Sequence, residues 1–464
     1  MSTQRPPRHP ARPARRHPLA LAVVLALGLG TALQTRAESL QEIYDAAHAY
    51  DATYLAAKAL ADSAQYKAAQ ADALRRPTVG LSAGATLAEA DPPSTKSSTT
   101  GQPIPGSGDR RGTATLQVGV AATQPLYNPA NSATISQAQR SLELTRTDLE
   151  SAEQDLIVRV AQAYFDVLAS QDSLATAQTS KKAISEQLAS AKRNFEVGTA
   201  TITDTREAQA RFDLATAQEL AADNDLRTKR LALDALSGRN GVTPQLLAVP
   251  VALPATATGE VEAWVGTAEA QHPLIRKAQL GLAIAKLETD KARATDGPTL
   301  DLNGNVGGAR VSGTGTSAPG STLSASVGVL FKMPLYSGGA LQNRIKETLA
   351  LEEKSRNDLE VARRGVTQGT RAAFFGVQSL QAQVKALEAA ESSSQLALEA
   401  TQLGYKVGVR VNLDVLNAQT QLFNARRDLA KARYDVLVNG LKLRQASGQL
   451  KPEDVAAVNQ LLAK

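Results

Sequence analysis

Gln124-Pro125-Leu126-Tyr127 and Met333-Pro334-Leu335-Tyr336 each end a segment of alternating residues and open a long helical pattern, and they lie about 210 residues apart. Each helical pattern ends in turn at a Val-Gly pair, Val197-Gly198 in the first half of the chain and Val407-Gly408 in the second. A motif order that recurs at a fixed spacing indicates repetition of one supersecondary unit. We therefore predict that the chain is internally duplicated.

The repetition extends over most of the sequence. Further pairs at an offset of 210 are Ala163-Tyr164-Phe165 with Ala373-Phe374-Phe375, Asp204 with Asp414, Ala208-Gln209 with Ala418-Gln419, and Ser237-Gly238 with Ser447-Gly448. A Pro- and Val-rich segment, 239–262, separates the two copies. We predict a first structural repeat at 38–250, a second at 251–450 and a short tail at 451–464 that forms a small helix.

Residues 1–37 have the pattern of an export signal. Arginines crowd the start, an apolar run covers 19–33, and Thr35-Arg36-Ala37 forms a small-x-small cleavage site. Six of the 51 basic residues lie in this segment, which leaves 45 basic against 45 acidic residues in the mature chain. The basic balance of the whole sequence therefore gives no reason to expect a nucleic-acid partner.

Cysteine is absent from the sequence. The chain therefore has no disulfide, no thiolate metal site and no cysteine that could carry a lipid.

Four segments alternate between apolar and polar residues with a period of two. They cover 78–87, 115–123, 300–306 and 323–331, and they approach the 9 to 11 residues that a tilted transmembrane strand needs. Polar loops rich in Gly, Pro, Ser and Thr, at 90–112 and 310–320, join them in pairs. We predict two β-hairpins. A soluble sheet with one face on a core is the alternative, but aromatic residues make up only 4% of the chain and offer little material for such a core.

Long helical patterns with few Gly or Pro residues fill the space between the hairpins. We expect long helices at 130–197 and 339–407, shorter return helices at 204–237 and 412–447, and helices before the strands at 39–75 and 263–293. Apolar residues recur at three- and four-residue steps and alanine fills many other positions, a pattern typical of closely packed coiled coils. A solvated antiparallel coiled coil without a lumen accounts for this periodicity equally well.

No catalytic or cofactor-binding motif is present. The sequence lacks a nucleophile elbow, a P-loop and a dinucleotide-binding fingerprint, and the Gly-rich segment 304–320 has no helix behind it to receive a phosphate. His48 and His272 occupy similar places in the two repeats, but no acidic set at ligand spacing accompanies them. We expect surface or capping roles for both histidines, no metal, no cofactor and no enzymatic activity.

Polar residues cluster at the two turns that follow the long helices. Glycine at Gly198 and Gly408 suits the left-handed end of a helix, and we expect the side chains at 203–204 and 412–414 to cap the helices that follow. Capping does not explain Tyr405 and Arg410, whose counterparts in the first copy are Phe195 and Ala200. This asymmetry indicates a specific contact at the second turn.

These residues resemble the TolC family of outer-membrane channel-tunnels. The resemblance is carried by Glu38-Ser39-Leu40-Gln41-Glu42-Ile43-Tyr44, the doubled Pro-Leu-Tyr, Ala163-Tyr164-Phe165-Asp166-Val167-Leu168, the Val-Gly-Thr turn with its later Thr-Asp, and Ser337-Gly338-Gly339. It implies a mainly helical protein with a small β-barrel contribution. Three protomers would each give two transmembrane hairpins to a 12-stranded barrel and four helical strands to a periplasmic tunnel. Two protomers would give eight strands, whose barrel interior is filled by side chains, so an open duct needs at least three.

The same resemblance assigns roles at the helical tip. It implies a periplasmic gate in which Tyr405 and Arg410 donate hydrogen bonds to Thr203 and Asp204 on a neighbouring hairpin. Among these links we expect Arg410 to Asp204 to be the strongest, because it is charge-assisted.

Asp414 matches the first of two inward Asp residues that the family tends to carry at its constriction. The second position here is Asn417. Three carboxylates in a trimer instead of six predict weaker binding of multivalent cations and a lower cation preference.

The resemblance finally implies an exit duct in the outer membrane that reaches into the periplasm and is passive in itself. Its tip, Val197-Gly198-Thr199 with Val407-Gly408, would dock a periplasmic adaptor protein that connects it to an inner-membrane ABC or proton-driven transporter. Either efflux of small molecules or type I secretion of a polypeptide is compatible with the sequence. The alternative from another class is a secreted structural coiled-coil protein without a pore.

Overall fold

The computed structural model describes residues 37–91, 93–104, 110–248, 259–314 and 319–463. The predicted signal segment lies outside these ranges, apart from Ala37. The described part of the chain is mostly helical. Its elements in chain order are α1 (Leu40–Tyr50), α2 (Ala52–Asp72), β1 (Thr78–Ala90), β2 (Arg111–Tyr127), α3 (Pro129–Glu196), α4 (Ile202–Ser237), α5 (Val261–Gln271), α6 (Pro273–Ala294), β3 (Thr299–Ser312), β4 (Gly320–Lys332), α7 (Ala340–Lys406), α8 (Asn412–Ala446) and α9 (Pro452–Asn459).

The four strands form one antiparallel sheet in the order β1-β2-β3-β4. Both predicted hairpins are confirmed, and the strands extend beyond the predicted alternation into the loops. The register pairs Leu81 with Val120, Val120 with Val306, and Val306 with Ala325. Because directly paired residues in antiparallel strands point to the same side, the apolar rows of all four strands share one face of the sheet.

The two longest helices confirm the sequence prediction closely. Helix α3 has 68 residues and α7 has 67, which at 1.5 Å per residue makes each roughly 100 Å long. Helix α4 packs along α3, α8 packs along α7, and α8 also packs on α3. The return helices and the small tail helix α9 are confirmed as well. None of the described helices is apolar over a length sufficient to cross a membrane.

The main core lies about halfway along α3. Tyr164 and Phe165 are both fully buried there, with their rings edge to face at 5.4 Å between centroids. The Tyr164 hydroxyl lies 3.2 Å from the carbonyl oxygen of Glu38 and 3.0 Å from that of Gln245. The Tyr164 hydroxyl thus links α3 to the segment before α1 and to the segment after α4. Helices α1 and α9 pack around the same core.

The expectation of single helices at 39–75 and 263–293 is wrong, because each is broken once. At the first break Asp51 caps α2 by accepting from the Tyr54 amide at 2.8 Å and also receives two hydrogen bonds of 2.9 Å from Arg159 of α3. The Arg159 guanidinium holds the pKa of Asp51 below its usual range. At the second break Pro273 cannot donate a helical hydrogen bond and therefore occupies the first position of α6.

Candidate functional site at the helical turns

The candidate site is formed by the two turns that join α3 to α4 and α7 to α8. Gly198 and Gly408 adopt φ angles of +78° and +82°, a left-handed conformation that favours glycine. After Gly198, the amide of Thr199 donates to the Asn194 carbonyl at 2.8 Å, and the second turn has an equivalent bond of 2.9 Å from Val409 to Gly404. The predicted role of both glycines in ending the long helices is confirmed.

Helix capping at the first turn is only partly as predicted. Thr201, and not Thr203, is the capping residue, and its hydroxyl accepts from the Asp204 amide at 3.2 Å. Asp204 completes the motif by accepting from the Thr201 amide at 3.0 Å and from its hydroxyl at 2.7 Å. Thr203 lies one residue inside α4 and is exposed.

The capping prediction for the second turn is wrong. Val411 holds the capping position of α8, and its apolar side chain cannot supply a hydrogen bond. Asn412 is the first residue of the helix itself. The Asn412 side chain instead turns away from the turn and accepts from the amide nitrogen of Gln187 on α3. Asn412 is only 3% exposed, so it belongs to the seam between the two helical hairpins.

The predicted gate donors lie at the second turn but bond to other partners within the protomer. The Tyr405 hydroxyl accepts from the Asn194 side chain of α3 at 3.2 Å. The Arg410 guanidinium lies 3.6 Å from a carboxylate oxygen of Asp414, one turn into α8. Within the described residues of one protomer, neither donor bonds to Thr203 or Asp204. The predicted links from Tyr405 and Arg410 to Thr203 and Asp204 on a neighbouring hairpin therefore stay a prediction.

The predicted constriction residues lie on α8, three residues apart. The Asp414 side chain is 36% exposed and forms an ion pair with Arg410. Asn417 accepts a hydrogen bond of 2.9 Å from the guanidinium of Arg211 on α4. Neither Arg211 nor Asn194 could be singled out from the sequence, because helical periodicity does not show which residues of two hairpins face each other.

Below the turns, a small apolar seam holds the two hairpins together. Leu416 of α8 is fully buried against Ile184 and Leu188 of α3 and Ala208 of α4. Gln419, one turn further, is 5% exposed, and its side-chain oxygen has no hydrogen-bond partner among the residues that the structure describes. The seam is therefore narrow and partly polar.

The predicted docking residues are exposed at the tips of the turns. Val197 is 73% exposed and Val407 is 66% exposed, and Gly198 and Gly408 have open space where a Cβ atom would stand. Thr199 is also exposed, and its hydroxyl donates to the Asn194 carbonyl at 3.1 Å. Exposed valines beside bare glycine backbone allow close approach of another helix.

A partly buried acid lies further along the α3–α8 contact. The Tyr434 hydroxyl donates to a carboxylate oxygen of Asp172 at 2.7 Å, and the Tyr434 ring stacks on Phe165 at 5.8 Å between centroids. Burial raises the pKa of Asp172, although the hydrogen bond from Tyr434 acts in the opposite direction. Burial also raises the pKa of Tyr434.

His272 and His48 both have contacts that contribute to the fold. His272 caps α6 by accepting from the Leu274 amide at 3.0 Å, and burial lowers its pKa. The His48 ring lies between the rings of Tyr44 and Tyr54, at 5.9 and 4.4 Å from their centroids. Across the described ranges, no three His, Asp or Glu residues gather as a metal-binding group.

Comparison with known proteins agrees with this architecture. The family model described as "Outer membrane efflux protein" matches residues 43–239 and 264–449. The chain is 31% identical to the outer membrane protein TolC of Vibrio cholerae serotype O1 over 444 residues, covering 95% of this chain and 97% of that protein. It is also 31% identical to the alkaline protease secretion protein AprF of Pseudomonas aeruginosa, covering 72% of this chain and 70% of the relative.

A solved structure shows the same fold at lower identity. The outer membrane protein VceC of Vibrio cholerae superposes with a TM-score of 0.73 at 19% identity, covering 88% of this chain and 96% of that one. The family model spans both helical hairpins and both strand pairs, and the TolC relative is matched over nearly its whole length. This chain belongs to the outer membrane efflux protein family.

Proposed function

We propose that this protein is an outer-membrane channel-tunnel that provides the exit duct of an efflux pump or a type I secretion system. Membership of the outer membrane efflux protein family supports this function, as does the near full-length likeness to TolC. The relatives include a protein named for protease secretion and one named as an efflux protein, so both kinds of cargo remain open. Transport is passive, and its energy comes from the partner.

The observation that carries the proposal is the exposed apolar face of the sheet. Leu81, Leu87, Leu323 and Val327 are each at least 75% exposed, and they all lie on that face. No helix covers this face in the described part of the protein, where the strands contact mainly one another. A soluble protein rarely leaves so continuous an apolar surface in water, whereas a lipid-facing sheet requires one.

The two edges of the sheet support an assembly of several copies. Strands β1 and β4 are the outer strands and each has one unpaired side. If these edges pair with other copies of the chain, their backbone N–H and C=O groups form hydrogen bonds that lipid cannot provide. Three copies would give 12 strands and leave a water-filled interior, whereas two would give eight and a filled one. We propose a homotrimer built from two structural repeats per chain, 38–250 and 251–450, with 1–37 as the export signal.

The helical turns would lie at the periplasmic end of this trimer. In our proposal Arg410 and Tyr405 of one protomer reach Thr203 and Asp204 of its neighbour and hold the tip closed. Asp414 and Asn417 line the constriction, where Arg410 offsets part of the acidic charge. The exposed tips at Val197-Gly198-Thr199 and Val407-Gly408 receive a periplasmic adaptor, which connects the duct to an inner-membrane ABC or proton-driven transporter.

Single-cysteine labelling tests the membrane orientation of the sheet. The chain has no cysteine, so Leu81→Cys and Ser82→Cys each introduce one thiol, on opposite faces of β1. In proteoliposomes a membrane-impermeant maleimide is expected to label Ser82→Cys, which faces the water-filled interior, and to leave Leu81→Cys unlabelled in lipid. Equal labelling of the two variants contradicts the proposed channel.

A further inference from the structure

A groove of about 340 Å³ opens between α3, α4 and α8, within three turns of the constriction residue Asn417. Arg211 contributes to its wall and also hydrogen-bonds Asn417, so the groove adjoins the predicted constriction residue. Its other lining residues include Leu214 and Asp225 of α4, and Phe423 and Arg427 of α8. A volume of this size is enough for a small organic molecule.

Arg211 is a cation of the groove with no carboxylate partner among the described residues. Its side chain is half-buried, it donates to the neutral oxygen of Asn417 at 2.9 Å, and it forms no ion pair with any carboxylate in the described ranges. The groove has two other charged groups, the cation of Arg427 and the carboxylate of Asp225. Arg427 donates to Asp428 at 3.0 and 2.9 Å, and Asp225 accepts from the Ser170 hydroxyl at 2.7 Å.

The remaining wall of the groove is apolar or neutral. Leu214 is 52% exposed and presents its side chain beside Arg211, while Phe423 and Ile184 form part of the buried lining. Thr420 and Asn424 add neutral hydrogen-bonding groups. An arginine fork next to an apolar surface suits a ligand with an anionic oxygen group and a hydrophobic body, because guanidinium can bind two oxygens of a carboxylate or sulfonate at once.

We propose that this groove binds amphipathic organic anions, carboxylates or sulfonates that carry a ring system or short chain, as they pass the constriction. Arg211 binds the anionic group and Leu214 contacts the hydrophobic body. The inference rests on the proposed channel function, since it places the groove on the transport route. It identifies a cargo class that the protein would retain transiently.

Equilibrium dialysis of the purified full-length protein in amphipol against naphthalene-2-sulfonate tests the binding directly and does not require a pore. Arg211→Gln is expected to weaken binding about tenfold or more, the loss typical of a charge-assisted hydrogen bond. Arg206→Gln is the matched control, because Arg206 is exposed on the same helix and does not line the groove. Arg211→Lys should retain part of the affinity, and Leu214→Ser should also weaken binding.

Three outcomes overturn the inference. They are no binding to the wild-type protein, equal binding by the Arg211→Gln and Arg206→Gln variants, and equal binding of the matched cation 2-naphthylmethylammonium. In planar bilayers the sulfonate should also reduce single-channel current in the wild type and far less in the Arg211→Gln variant. Open channels that the sulfonate does not affect would overturn the placement on the transport route, whereas absence of channels would contradict the proposed function itself.

Discussion

Substitution of Val118 by arginine should sharply destabilise the protein in a bilayer. Val118 lies on the apolar face of β2 and pairs with Ala83 of β1 and Gly308 of β3. The apolar row of β2 runs from Ala114 to Ala122, so Val118 is four residues from each end. With a rise of about 3.3 Å per residue and a tilt of about 45°, it lies roughly 9 Å inside each boundary, close to the midplane.

The expected cost follows from that depth. Arginine on the lipid face at the midplane costs about 2–4 kcal/mol, which lowers the folding equilibrium constant by roughly 30- to 900-fold. Gln117→Arg is the matched control, because Gln117 is the preceding residue and lies on the opposite face. An arginine there would face water and should cost less than about 1 kcal/mol.

Guanidinium titration of each variant in phospholipid vesicles measures this difference, with the folded fraction read from gel mobility without heating. The Val118→Arg midpoint is expected to fall well below the wild-type midpoint, and the Gln117→Arg midpoint should stay close to it. If the two variants lose equal stability, or if Gln117→Arg loses more, the assignment of the lipid-facing side is wrong.

Three other perturbations probe the helical part. Arg410→Ser should raise single-channel conductance in planar bilayers, because it removes the strongest proposed gate link, and unchanged conductance would reject that role. Asn417→Asp should tighten block by hexamminecobalt, since it doubles the carboxylates near Asp414, and equal block by variant and wild type would contradict the constriction assignment. Asp172→Asn should stabilise the protein against urea more at pH 8 than at pH 4. The pKa of Asp172 is raised from its ordinary value of 3.8, so the folded protein favours the protonated carboxyl. The contribution of Asp172 to stability is therefore complete below pH 3.8 and is lost as the pH rises and the carboxyl ionises. A gain independent of pH would show that the burial of its charge is unimportant.

The long helices could be predicted from sequence because their signals are local and numerous. Helix α3 was expected at 130–197 and spans Pro129–Glu196, and α7 was expected at 339–407 and spans Ala340–Lys406. Pro129 and Gly198 mark the two ends of α3, because proline favours the first helical position and glycine the left-handed conformation that follows a helix. The strands were harder to delimit, because small residues such as Gly112 and Gly308 weaken the alternation at their ends.

The helix breaks were missed for two different reasons. Pro273 was a visible signal, since proline at the first helical position ends whatever precedes it. At Asp51 the cap is local, but the carboxylate is also held by Arg159, a partner 108 residues away. No pattern near Asp51 in the sequence reports that long-range ion pair.

The site at the turns was only partly predictable for the same reason. Gly198 and Gly408 are fixed by their own backbone conformation, and the sequence identified them. Contacts between hairpins depend on the rotation of one helix about another, which the helical period leaves open. Asn194 opposite Tyr405 and Arg211 opposite Asn417 therefore became evident only in the three-dimensional arrangement.

Electrical recording from the purified full-length protein in planar lipid bilayers tests the central claim most directly. If several copies enclose a continuous water column, the protein should produce discrete, uniform current steps in salt solution. Bilayers that stay silent, while gradient flotation shows the folded protein inserted in the lipid, would contradict it.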